Sequence, residues 1–166
     1  VPVTGTLISF SNTVYTYTLT TRTDGAGNYK VLAGAGTWDM TAEAYGYQAA
    51  TANGLVVTQD NVTTQHFALT ALPQYTISGV IRDAATSAGV QAYLEIADEL
   101  TADPEWAAAN GSYALVLPQG TYSLTVSHPG YVPQTLNLNV AGNQSLDINL
   151  TAQQNYTCLD SRDPGG

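Results

Sequence analysis

Short stretches of alternating apolar and polar residues run along much of the chain. Clear examples are residues 122–126 (Tyr-Ser-Leu-Thr-Val), 136–140 and 146–150. Alternation with period two is typical of a strand that has one side on a core and the other in water. Segments rich in Gly and Asn, such as residues 24–28, separate these stretches and predict turns. Regularly spaced short strands predict an all-β chain built from β-sandwiches.

The same order of glycines and aromatic residues occurs twice. Residues 24–47 align without gaps with residues 108–131, an offset of 84. Residues 3–7 also resemble residues 77–81, and residues 67–70 resemble residues 148–151. We therefore predict two tandem Greek-key β-sandwich domains of about seven strands each. They span residues 1–72 and 73–152, and residues 153–166 form an extended tail or linker.

The second copy carries four motifs in a recognisable order. They are Ile77-Ser-Gly-Val-Ile-Arg-Asp83, Asn110-Gly-Ser-Tyr113, Leu117-Pro-Gln-Gly-Thr-Tyr122 and His128-Pro-Gly-Tyr131. This order resembles the carboxypeptidase regulatory-like domain, a prealbumin-like (transthyretin-like) sandwich of seven strands. The first copy departs from it, with Ala-Gly-Ala-Gly at 33–36 and Tyr-Gly-Tyr at 45–47. The resemblance implies a non-catalytic module, either attached to a secreted enzyme or repeated along a bacterial surface protein.

Charged residues are scarce and mostly acidic. They make up 10% of the chain, against roughly 25% in an ordinary soluble domain. Four basic and 13 acidic residues give a formal net charge of −9, which excludes nucleic acid as a partner. No run approaches the roughly 18 apolar residues of a membrane span, so membrane insertion is not predicted. The outward strand positions hold Thr, Asn and Ser, which predicts a neutral surface.

Four Asn-x-Ser/Thr triplets and one cysteine bear on the compartment. The triplets begin at Asn61, Asn110, Asn143 and Asn155 and are candidate glycosylation sites. Together with the excess of acidic over basic residues, these triplets favour an extracellular or cell-surface glycoprotein. Cys158 is the only cysteine, so we favour a disulfide to another molecule, or to a cysteine beyond this sequence, over a free thiol. Because the sequence begins Val-Pro-Val, we expect a processed chain or part of a longer one.

The aromatic residues divide into core and surface candidates. Tyr29, Trp38, Tyr113 and Tyr122 stand at inward strand positions, which predicts that they fill the two cores. Tyr47 and Tyr131 follow turns, so they are the candidates for exposed contact with a partner, including a glycan.

One acidic loop is a weak candidate for calcium. Its five carboxylates are Glu95, Asp98, Glu99, Asp103 and Glu105. The spacing does not match an EF-hand, so we favour a solvated loop with Trp106 packed against the sandwich. No metal site or other cofactor is predicted beyond this candidate.

Motifs for catalysis are missing from the sequence. His66 and His128 occupy non-equivalent places in the two copies, and neither an HExxH nor a GxSxG motif occurs. We therefore nominate no catalytic residue and predict that the chain is not an enzyme.

Two functions from different classes fit these features. The leading hypothesis is a non-catalytic extracellular structural protein, part of a stalk, adhesin or filament whose repeats join end to end. Its partners would be further copies or neighbouring domains of a longer chain. The alternative is an accessory module of a secreted hydrolase, such as a protease, that binds glycans or cell wall.

Overall fold

The computed structural model describes residues 1–12, 14, 16–97 and 105–154. Within these ranges the ordered elements are all β-strands, which confirms the all-β sandwich class. No helix of the described residues has the length and apolar character needed to cross a membrane. The chain divides into two compact units, called here the first and the second unit; the main boundary follows Tyr75, and residues 117–120 group with the first unit.

The first unit is built on one antiparallel sheet of four strands in the order β2-β1-β3-β5, with a small sheet of β4 and β6. One face of the larger sheet carries a core of Ile8, Phe10, Trp38, Met40 and Ala42. These residues alternate along β1 and β3, as the period-two pattern requires. The strand bounds are β1 Leu7–Asn12, β2 Thr18–Arg22, β3 Gly36–Glu43, β4 Tyr47–Gln48, β5 Ala50–Val57 and β6 Thr70–Ala71.

Two extended segments, residues 29–33 and 65–69, cover this core. Exposure alternates along both, and their inward side chains, such as Val31 and Phe67, pack against the buried residues. Both segments nevertheless lie outside the assigned strands. They have the side-chain pattern of strands, but they lack the ladder of hydrogen bonds that defines a sheet.

The second unit contains two layers of hydrogen-bonded strands. One sheet has the order β12-β11-β8-β9, and the other has the order β10-β7-β13, with β14 also paired to β7. Ile77 and Ile81 of β7 are fully buried between the layers. The strand bounds are β7 Gln74–Asp83, β8 Tyr93–Ile96, β9 Glu105–Trp106, β10 Ser112–Pro118, β11 Gly120–Ser127, β12 Gln134–Val140, β13 Gln144–Ser145 and β14 Ile148–Leu150.

The offset of 84 residues relates the same turns in both units. Gly27 N donates to Asp24 O at 2.9 Å, and Gly111 N donates to Ala108 O at 2.8 Å. Both glycines have a positive φ, 77° and 81°, which L side chains rarely adopt. A second turn also repeats, since Tyr47 N and Tyr131 N each donate to the carbonyl three residues earlier at 3.1 Å.

The first strands do not correspond as the sequence comparison predicted. Leu7 of β1 pairs with Glu43, and Tyr93 of β8 pairs with Ser127, the residue 84 positions after Glu43. Strand β1 therefore corresponds to β8, and the alignment of residues 3–7 with residues 77–81 is wrong. The two segments share an apolar-x-Gly-x-apolar pattern, but β7 lies in the other layer of its sandwich. No described strand of the first unit corresponds to β7.

Candidate interaction surfaces

The acidic loop is only partly covered by the described residues. Asp98, Glu99 and Asp103 lie outside them, whereas Glu95 belongs to β8 and Glu105 to β9. Leu94 pairs with Glu105, so the alternation of side chains places Glu95 and Glu105 on opposite faces of the sheet. In the part of the chain that the structure describes, no group of three or more His, Cys, Asp or Glu side chains is placed to hold a metal ion. Calcium binding stays a prediction from the sequence.

Trp106 does not pack against the sandwich as expected, since 60% of it is exposed. It lies on the outermost strand of its sheet, opposite Tyr93. The neighbouring Leu94 points into the core, so Tyr93 and Trp106 share the outer face. Their ring centroids are 5.1 Å apart, and the rings are tilted by 57°.

These two rings form one side of an open cleft of about 640 Å³ in the second unit. We call it the aromatic cleft and define it by Tyr93, Trp106, His128, Tyr131 and Pro133. The rings of His128 and Tyr131 meet edge to face with centroids 5.4 Å apart. Aromatic rings beside few polar groups suit flat, partly apolar ligands such as sugar rings or proline-containing peptides.

Tyr131 lines the cleft and also forms a hydrogen bond within the second unit. The residue is half-buried, and its hydroxyl donates to Asp83 Oδ2 at 2.9 Å. Asp83 Oδ1 accepts the N–H groups of Ala85 and Thr86 at 2.8 and 2.7 Å. The bond from the Thr86 backbone, followed by the Tyr131 bond, lowers the pKa of Asp83, and the same Tyr131 bond raises the pKa of Tyr131. The hydroxyl proton of Tyr131 is therefore committed to Asp83, and its ring is the part that lines the cleft. Its counterpart Tyr47 is half-buried too.

The predicted core aromatics lie inside their units. Trp38, Tyr113 and Tyr122 are buried, and Tyr29 is half-buried. Tyr113 donates its hydroxyl to Leu146 O at 2.6 Å, and Tyr29 donates to Gln65 O at 2.7 Å. Burial raises the pKa of Tyr113 to about 12, with a smaller contribution from the charge of Asp147. Each tyrosine ties together two segments of its unit.

The first unit contains a cavity of about 530 Å³ that the sequence did not predict. It lies between residues 27–33 and residues 61–66, and its floor includes Phe10, Trp38 and Met40. We call this cavity the apolar slot. His66 lies on its rim and His128 lies in the aromatic cleft, so the two histidines are in different units.

Three of the four glycosylation candidates are described, and all three are exposed. Asn61 lies in the loop after β5. Asn110 Oδ1 accepts the N–H of Ser112 at 3.0 Å, and Asn143 Oδ1 accepts the N–H of Thr76 at 2.9 Å. Asn155 and Cys158 lie outside the described residues.

Comparison with known proteins agrees with the fold. Residues 76–153 match the model of the carboxypeptidase regulatory-like domain. A curated relative, Bacillopeptidase F of Bacillus subtilis (strain 168), is 28% identical over 117 residues, which is 70% of this chain and 8% of that protein. The chain thus spans less than a tenth of this relative's length.

Two solved pilin structures resemble the chain across both units. The Streptococcal ancillary pilin shares 13% identity over 92% of this chain and 59% of that chain, with a TM-score of 0.51. The minor pilin of Streptococcus agalactiae shares 11% identity over 94% of this chain and 86% of that chain, with a TM-score of 0.50. At these identities the likeness is one of fold.

The chain thus shares the β-sandwich fold of the pilin structures that it resembles. The match of residues 76–153 to the model of the carboxypeptidase regulatory-like domain confirms the resemblance predicted from the sequence.

Proposed function

We propose that this chain is a non-catalytic structural part of an extracellular or cell-surface stalk, adhesin or filament, built from β-sandwich repeats joined end to end. The observation that carries the proposal is the extent of the likeness to pilins. Each of the two pilin structures covers more than 90% of this chain, so the likeness extends over both units and not over a single sandwich.

The character of the surface supports packing against neighbours. The outward positions of β12 and β14 are asparagines and a threonine, and three of these are Asn137, Asn139 and Asn149. Such neutral polar faces meet a neighbouring copy without the repulsion that like charges would cause. Exposed apolar side chains, among them Val56, Val116 and Val132, add contact area. The partners in this proposal are further copies or neighbouring domains.

Two covalent modifications that we propose from the sequence, glycosylation and a disulfide, are compatible with the same structural role. Glycans on the Asn-x-Ser/Thr triplets would cover part of an extracellular surface, and a disulfide at Cys158 would join units.

An accessory module of a secreted hydrolase is the second candidate. The relative Bacillopeptidase F and the aromatic cleft favour it, because the exposed Trp106 and the half-buried Tyr93 beside it suit a glycan or cell-wall ligand. A protease or glycosidase domain encoded beside this segment in the gene, with glycan binding by the chain, would select this candidate.

Light scattering on the purified chain over a range of concentrations tests the structural role. The proposal predicts a mass that rises with concentration, with elongated particles in negative-stain images. A constant monomer mass up to the highest soluble concentration, with compact particles, would refute self-association.

A further inference from the structure

The central strand of the second unit has no counterpart among the described residues of the first. Strand β7 lies between β10 and β13 and also pairs with β14. Its inward positions are Ile77, Gly79 and Ile81, and both isoleucines are fully buried. This strand therefore holds one whole layer of the second sandwich together.

The neighbours of such a strand are present in the first unit. Residues 28–34 stand where β10 stands, since both follow the repeated turn that contains Gly27 or Gly111. Residues 65–69 stand where β14 and the residues before it stand. The hydroxyl of Tyr29 reaches Gln65 O just as that of Tyr113 reaches Leu146 O. The pairing of Tyr47 with Ala71 likewise repeats that of Tyr131 with Ala152.

Between these two segments lies the apolar slot. In the second unit, Leu146 N donates to Ser78 O at 2.8 Å and Ile148 pairs with Ile81, so β7 fills the corresponding place. In the first unit, Tyr29, Val31, Gln65 and His66 line a cavity instead. The backbones of residues 29–33 and 65–69 form no ladder of strand-to-strand hydrogen bonds. Such segments can accept an added strand.

We propose that the apolar slot is an acceptor site for one extended segment of a partner protein, with the pattern apolar-x-Gly-x-apolar. The segment would run parallel to residues 63–69, as β7 runs parallel to β13 and β14, and its other edge would pair with residues 28–34. The two apolar side chains would cover Phe10 and Met40, and glycine would stand between them as Gly79 does in β7. The site goes beyond the proposed function, because it exists whether the chain builds a filament or accompanies an enzyme.

A synthetic peptide with the sequence of β7, Gln74–Asp83, tests the site directly. Amide hydrogen exchange of the 166-residue chain is measured with and without saturating peptide. We expect exchange at residues 28–34 and 63–69 to slow by at least about tenfold, since ladder hydrogen bonds replace bonds to water. The control peptide carries Ile77→Asp and Ile81→Asp and should give no protection.

A covalent variant removes the dependence on peptide affinity. It carries a second copy of residues 74–86 joined ahead of Val1, because β7 and the turn at residues 84–86 precede β8 in the second unit. The same protection should appear without added peptide, and exchange at residues 112–118 should not change. Unchanged exchange at residues 28–34 in both formats, with the second unit still folded, would overturn the proposal. A dimer of the unmodified chain with these residues already protected would also overturn it, by identifying a second copy as the occupant.

Discussion

Substituting the equivalent glycines of the two units, Gly111→Ala and Gly27→Ala, should produce unequal losses of stability. Both residues have nearly the same positive φ, so the backbone strain of an alanine is about 1 kcal/mol in each case. What differs is the surroundings of the added Cβ atom. At Gly111 this atom would overlap Ile81 O of β7 and stand 3.0 Å from Val90 N.

The overlap at Gly111 can be relieved only by moving backbone. Ile81 N donates to Gly111 O at 2.8 Å, so displacing β7 also weakens this bond, at about 1 kcal/mol. Overpacking against backbone adds about 1–3 kcal/mol, giving a total of about 3–5 kcal/mol for Gly111→Ala. At Gly27 the nearest atom is Pro2 Cβ at 3.0 Å, and the backbone atoms of Pro2 and Val3 lie at 3.4 Å or more, so a small shift suffices. We therefore expect only about 1–2 kcal/mol for Gly27→Ala.

Native-state hydrogen exchange in increasing urea measures the two units separately. The free energy of opening should fall by the larger amount at β10 and β11 in Gly111→Ala, and by the smaller amount at β1 and β3 in Gly27→Ala. Equal losses at the two glycines would refute the reasoning, because they would mean that the space beside Gly27 is as closely filled by backbone as the space beside Gly111.

Three further predictions concern other side chains. Tyr113→Phe should cost about 1 kcal/mol at neutral pH, by loss of the bond to Leu146 O. The pKa of Tyr113 is about 12 in the folded chain and about 10 when unfolded, so its contribution is present below pH 10 and is lost as pH rises to 12. Urea titrations should show this alkaline loss in the parent and a smaller one in Tyr113→Phe; identical pH profiles would contradict the assignment. Trp106→Ala should change stability by less than about 0.5 kcal/mol because the ring is largely exposed, and loss of an observed glycan-array signal in this variant would favour the hydrolase module. If Cys158 bonds to another molecule, the natural protein should run above the monomer on a non-reducing gel and Cys158→Ser should run as monomer; a monomeric parent would contradict a disulfide to another molecule.

Much of the second unit could be predicted from its sequence. Alternation in residues 122–126 and 136–140 identified β11 and β12, and the motif order pointed to the family model that residues 76–153 match. These signals are local, because each strand carries its own inward residues and its own turn. The inward positions of Trp38, Tyr113 and Tyr122 followed from the same rule.

The predictions that failed depended on long-range pairing. Residues 3–7 resemble residues 77–81 in type, but the partner strand decides to which layer a segment belongs. Residues 29–33 alternate like a strand and yet form no ladder, since no described strand lies beside them. The exposure of Trp106 follows from the edge position of β9 and from the pairing of Trp106 with Tyr93. Neither feature can be predicted from the residues near Trp106 in the sequence.

Immunogold electron microscopy of the source cells, with antibodies raised against this chain, tests the central claim most directly. The claim is that the chain is a structural part of an extracellular assembly. It predicts label outside the cell, spaced along extended projections or along filaments shed from the surface. Label confined to the cell interior, or found only on dispersed monomers in the medium, would contradict it.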